Sequence, residues 1–313
     1  MVKKYFLIDR FLIFLSAVFI NTSCQEKKTT ESTPTKGYIS IACDQQIRNI
    51  MEQEEDIFEK TYKYASLNIK YENESTIYKM LGTDSIKTII SCRPLNNFEI
   101  KYFNSKQIHP RSFPFAIGAL ALLTSKEQKD STILFEDFIN LCKGHKQDHI
   151  PFKTVLIEDV NSGIARYILE KIQADSFASN VYTLPDKDAI LNYLEGNPKA
   201  LAIVDWLEFS DSDDTKQQSR LKELRVLGIT RPKDSIQIGF LLPDQYLLQD
   251  QKYPLSRTLY FISCSGKSDL GLGFASFVTG EIGQKILLKA GLLPIFQTER
   301  WIELKSESFK VVE

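Results

Sequence analysis

The stretch from Val155 to Lys171 carries the residue types best suited to holding an anion. Ser162, or Asn161 one place earlier, suits a helix N-cap, because a short polar side chain can accept a hydrogen bond from the first free amides of a helix. Ile164, Tyr167, Ile168 and Ile172 follow at helical spacing, so a helix starts at this turn. Its first amides have no intrahelical acceptor and stand at the positive end of the helix dipole, and Gly163 lets a ligand reach the backbone without meeting a Cβ. Arg166 falls in the first turn, where a cation is unfavourable unless something negative is close. Capture of an oxyanion is the chemistry these residues suit. They read equally as an ordinary cap with Arg166 in solvent.

Other chemistry-bearing groups point to less. Cys142, His145 and His149 have the spacing of a thiolate and two imidazoles, but no clear fourth ligand accompanies them, and a plain helix-to-strand loop without metal is expected. Asp211-Ser-Asp-Asp214 lacks the glycine and distal glutamate of a calcium loop and reads as a solvated loop. His109, beside Pro110, suits a local hydrogen bond. The chain contains no nucleophile elbow, no phosphate-binding Gly-rich loop and no dinucleotide fingerprint, so neither catalysis nor a cofactor is expected.

The elements that must position the candidate site follow from periodicity. The 313 residues are 43% hydrophobic and 25% charged, a balance typical of a globular chain, and a net charge of −1 provides no basic footprint for nucleic acid. From Gly37, strand-like runs at 38–42, 66–71 and 86–91 alternate with helical patterns at 47–62 and 75–81, which argues for a parallel sheet with ligands at its carboxyl ends. Two prolines at 110 and 114 interrupt the pattern before an apolar strand at 115–123. A second alternating unit then runs through a helix at 132–142, the strand and turn before Gly163, a helix at 188–194 and strands at 200–204 and 224–229. A polar loop is expected at 211–218. A last strand at 258–263 and helices at 271–278 and 282–290 close the chain, with Gly291 as helix stop.

The N-terminus is different in kind. Lys3, Lys4 and Arg10 precede an apolar run at 11–20 that ends in Asn21-Thr-Ser-Cys24, which resembles a bacterial lipoprotein signal with Cys24 as the lipidated residue. Ordinary secretion or an uncleaved anchor are the other options. Residues 25–36 read as a polar tether, and the expected address is the periplasm or cell envelope, with the membrane touched through the lipid only. Cys43, Cys92, Cys142 and Cys264 are expected to be buried thiols, and Cys43 and Cys92 can bridge only if their strands are neighbours.

Four short signatures, in this order, resemble the substrate-binding proteins of phosphate-type ABC transporters: Cys92-Arg-Pro-Leu95 after a strand, Asn161-Ser-Gly-Ile164 at a strand-to-helix turn, Tyr253-Pro-Leu-Ser-Arg257 before a strand, and Phe274 through Gly283-Gln284 to Gly291-Leu-Leu-Pro294. The resemblance covers about 37–304. It implies a two-lobed α/β fold of the periplasmic-binding-protein type, each lobe a mainly parallel sheet flanked by helices, joined by crossovers near 113–115 and 244–254. The lobes would be 37–112 with 251–313, and 113–250, after a signal at 1–24. The resemblance further implies a monomer that holds phosphate or a similar oxyanion between its lobes for an ABC permease. The ligand-binding residues it implies are Asp44, Gln45 and Gln46, then Cys92 and Arg93, then Asn161, Ser162, Gly163 and Ile164, with Arg166. Phosphate binders usually have Asp where Cys92 stands and Arg where Glu158 stands. Arg93 and Arg166 can restore the charge, and Asp44 or Glu158 can serve as acceptor. An interaction or sensor lipoprotein of the same fold that has lost anion binding is the alternative.

Overall fold

Apolar residues that occupy alternate faces of one strand must be covered on both sides, and this rule organises the whole molecule. The computed structural model describes residues 32–211, 213–232 and 239–296. The expected signal peptide, Cys24 and most of the tether lie outside the described residues.

In chain order the described residues form β1 (Lys36–Asp44), α1 (Arg48–Thr61), β2 (Tyr64–Glu72), α2 (Glu74–Gly82), β3 (Thr88–Ser91), α3 (Asn97–Ser105), β4 (Arg111–Ser125), β5 (Thr132–Ile133), α4 (Phe135–Cys142), β6 (Thr154–Ile157), α5 (Gly163–Ile172), β7 (Val181–Thr183) and α6 (Lys187–Glu195). They continue with β8 (Ala200–Asp205), α7 (Leu207–Ser210), α8 (Thr215–Leu221), β9 (Leu224–Val226), β10 (Gly228–Ile229), α9 (Gln245–Gln249), β11 (Ser256–Ser263), α10 (Leu270–Val278), α11 (Glu281–Lys289) and β12 (Leu293–Pro294).

The strands run β2-β1-β3-β11-β4-β8-β6-β7 across a curled sheet. Pairing is parallel among β2, β1 and β3 at one end and among β8, β6 and β7 at the other, with antiparallel β11 and β4 between them. This is the two-lobed α/β architecture that the sequence resemblance implies. β4 serves both lobes. Its first part pairs with β11 as far as Ala119 opposite Ser256, and Leu120 onward pairs with β8, starting opposite Asp205.

Each lobe has apolar layers on both sheet faces. Ile41 and Cys43 of β1 join Phe58, Phe261 and Phe274 on one side, and Ala42 joins Ile77, Ile89 and Phe103 on the other. In the second lobe Val155, Ile157, Leu201 and Ile203 pack with Phe138, Phe152 and α5, whereas Leu156, Ala200 and Ala202 face Ile190, Leu191 and Leu194 of α6. Tyr253 ties the second passage between lobes to the first, donating its hydroxyl to the Leu120 carbonyl at 2.8 Å.

Several local expectations need correction. The pattern at 132–142 is a two-residue strand followed by α4, because Thr132 and Ile133 pair with Gly228 and Ile229. The expected polar loop at 211–218 contains the start of α8, capped by Asp214, which buries none of its residues and so carries no apolar period. The strand expected at 224–229 is split at Leu227 into β9 and β10. α3 was not expected, although Asn96 and Glu99 form a reciprocal capping box at its start. Cys43, Cys92, Cys142 and Cys264 are all buried free thiols.

Candidate functional site

The carboxyl ends of β1 and β3, the start of α2 and the start of α5 converge. β1 ends at Asp44, which is fully buried and whose Oδ1 accepts the Gln46 amide at 3.1 Å. Across the gap, Ser162 caps α5 by accepting the Ala165 amide at 3.2 Å, and its carbonyl takes the Arg166 amide. The amides of Gly163 and Ile164 therefore stand as the donors that helix geometry leaves over. Gly163 brings the start of α5 against the opposite lobe. A Cβ there would lie 2.8 Å from Glu74 Oε2, 3.0 Å from Asp44 Oδ2 and 3.3 Å from Gln46 Oε1.

Glu74 is the residue that sequence reasoning missed. It begins α2 and is 3% exposed, and its Oε1 accepts hydrogen bonds from Arg93 Nε at 3.1 Å and from Arg166 Nε of the other lobe. Arg93 is further held by a two-pronged pair with Glu99, at 2.8 and 2.7 Å, and lies over the Tyr78 ring. Arg166 also pairs with Glu170 at 2.7 Å. Burial, the largest single influence, lowers the pKa of both arginines, but the Glu99, Tyr78 and Glu74 contacts together outweigh it at Arg93, as do Glu74 and Glu170 together at Arg166, so both are held above the ordinary range and stay cationic. The two arginines expected to bring positive charge to the cleft are there, already matched by carboxylates.

A second missed residue lies deeper. Arg257, from the Tyr-Pro-Leu-Ser-Arg signature, is 5% exposed, pairs with Asp205 at the end of β8 and donates to Gln46 Oε1 at 2.9 Å. It thereby ties the loop after β1 to the second lobe. Burial pushes the Asp44 carboxyl up to about 6, held back by Arg257 and the Gln46 amide and raised again by Glu74. Asp44 Oδ2, Glu74 Oε2, Gln46 Nε2 and Arg257 Nε are buried without a hydrogen-bond partner. Buried acceptors and donors left unmatched are rare in native interiors and mark the junction of the lobes as a candidate place for a ligand's polar groups.

The remaining expected residues divide. Cys92 is buried beside Asp44 and Arg257, and burial holds its thiol well above the ordinary range. Gln45 is half-buried in the short turn after β1. Asn161 is exposed, bonded to Asp159 Oδ1, and offers its carbonyl to the Ser75 amide at 3.3 Å. The Ile164 side chain packs in the core of the second lobe, so only its amide can serve a ligand. Glu158, with Lys187, Gln46, Ile164 and Glu208, lines a small cavity of about 10 Å³, the size of one water. Burial raises the Glu158 pKa, and Lys187 opposes that. A wider groove of about 560 Å³ opens beside Glu74, lined also by Arg93, Asn161, Ser162 and Arg166. Cys142, His145 and His149 do not converge: the thiol lies in the core, His145 contacts Asn140 and His149 pairs with Asp137.

A model of the PBP superfamily domain matches residues 28–281, and the chain belongs to that superfamily. Among solved structures, a phosphate ABC transporter substrate-binding protein with bound phosphate from Clostridium perfringens aligns with a TM-score of 0.66 at 17% identity, covering 83% of this chain and 100% of that one. An ABC-type phosphate transport receptor from Vibrio cholerae aligns at 0.63 and 14% identity, over 82% and 100%. The OxyR2 regulatory domain from Vibrio vulnificus aligns at 0.53 and 10% identity, over 81% and 99%. A comparison with curated proteins finds no match. Identities this low carry the fold alone.

Proposed function

We propose that the protein is an extracytoplasmic solute receptor that takes inorganic phosphate or a similar small oxyanion between its lobes and delivers it to an ABC permease. It performs no chemistry on its ligand. In this reading the lobes are 37–112 with 251–313, and 113–250, the chain is a monomer, and Cys24 carries the lipid that holds it to the membrane. The observation that carries the reading is the buried start of α5, where the bare backbone of Gly163 faces Glu74, Asp44 and Gln46 of the opposite lobe, a Cβ there lying 2.8, 3.0 and 3.3 Å from their oxygens. Backbone amides at a helix start can replace the hydration of an oxyanion, and Arg93 and Arg166 stand within the same cluster. Asp44, with its carboxyl raised to about 6, is suited to exchange a proton with a protonated ligand. Gln45, Gln46, Cys92, Asn161, Ser162 and Ile164 complete the proposed ligand shell.

One observation favours a second reading, a sensor or interaction lipoprotein that no longer binds anions: Glu74 already satisfies both arginines. Calorimetric titration with phosphate, sulfate, arsenate and small carboxylates separates the two. Binding that disappears in Gly163→Val supports the receptor, because a branched side chain there blocks the nest. Absence of binding to the whole panel by a folded wild type supports the sensor.

A further inference from the structure

We propose that Glu74 is a tethered stand-in for the ligand, a carboxylate of the chain itself that occupies the anion site, clasps the lobes together and sets how tightly an outside anion can bind. The inference rests on the receptor reading of the site and concerns its regulation. An acid at the start of a helix is already favoured by that helix's own dipole and needs no distant partner. Glu74 nevertheless turns away from solvent toward the start of α5. Its Oε1 joins Arg93 of its own lobe to Arg166 of the other, and its partnerless Oε2 lies 2.8 Å from where a Gly163 Cβ would be. Asp44 Oδ2, also without a partner, lies 3.0 Å from the same point.

The residues flanking Glu74 add to the clasp. Asn73 Nδ2 donates to Asp159 Oδ2 at 3.2 Å, and the Ser75 amide donates to the Asn161 carbonyl at 3.3 Å. Three successive residues of the first lobe thus grip the loop that begins α5. An incoming oxyanion at the start of α5 needs the same two guanidiniums. It must displace the Glu74 carboxylate, and its affinity is the difference between two anions competing for one set of donors.

Glu74→Gln tests this, since the amide keeps the shape and loses the charge. The variant is expected to bind inorganic phosphate roughly tenfold or more tightly, because charge-assisted hydrogen bonds to the arginines no longer have to be broken. Without phosphate it is expected to show a larger radius of gyration by small-angle scattering than the wild type. Glu99→Gln, which removes a carboxylate from Arg93 but touches neither Gly163 nor Arg166, is expected to keep the wild-type radius. An expanded Glu74→Gln in a protein that binds no anion upholds the clasp and removes the receptor reading. An unchanged radius and an unchanged or weaker phosphate affinity overturn the clasp while wild-type binding keeps the receptor. If Glu74→Gln does not fold, Arg166→Gln cuts the same contact from the other lobe, and its unliganded radius decides by the same comparison.

Discussion

Glu54, midway along α1, and Glu74, at the head of α2, are both almost fully withdrawn from water, at 0% and 3% exposure, yet their surroundings are opposite. Glu74 has two guanidiniums and stands at the starts of two helices. Glu54 has no hydrogen-bond partner on either oxygen, and burial pushes its carboxyl up to about 8. Burial without partners thus favours the neutral acid at Glu54, whereas at Glu74 burial comes with matched donors that make the side chain a contact between lobes. The cleft is built from the second arrangement, and the interior of the first lobe tolerates the first.

The largest test of that contrast is at Arg257. Arg257→Ala leaves Asp205 buried without its cation and should lower stability by roughly 3–5 kcal/mol in urea unfolding. A small loss would mean that the cleft charges are no better matched than Glu54. Glu54→Met should act in the opposite direction. Because the folded pKa is raised, the favourable difference is intact below the ordinary carboxyl value near 4.5 and is lost as pH rises through about 8. The methionine variant should therefore gain roughly 2–4 kcal/mol over wild type at pH 9 and much less at pH 5. Equal gains at both pH values would show that packing, and not ionisation, is being changed. The smallest effect is expected from Ser162→Ala, which removes the cap of α5 and should cost about 1 kcal/mol. No loss at all would indicate that the Ser162 hydroxyl adds nothing to α5 beyond the packing of its apolar face.

Much of the frame was legible because it is periodic. Ile164, Tyr167, Ile168 and Ile172 are buried on one face of α5 and Ser162 is its cap, as their spacing and type require. α3 had a readable signal as well, in the pairing of Asn96 with Glu99. Glu74 had none: after Asn73 it is simply a favourable acid in a first helical turn, and its turn toward Arg166 depends on how two lobes meet, 92 positions apart in the chain. Arg257 lay within a recognised signature, but its pairing with Asp205, 52 positions away, follows from β11 and β8 flanking β4. α8 escaped because an exposed helix needs no apolar stripe to be stable once packed at its ends and capped.

The single strand shared by both lobes also fixes how the chain can change over evolutionary time. Along the second half of β4, Leu120 and Leu122 join the α5 side of the core, while Ala121 and Leu123 join the α6 side. Inserting or deleting one residue before Leu120 would turn these β4 side chains to opposite faces, because side chains alternate with a period of two, unless a bulge absorbed the change. β4 already carries one such irregularity, where Leu259 pairs with Ala116 and Tyr260 with Pro114, leaving Phe115 as the extra residue. Its length is therefore constrained by parity wherever no bulge intervenes.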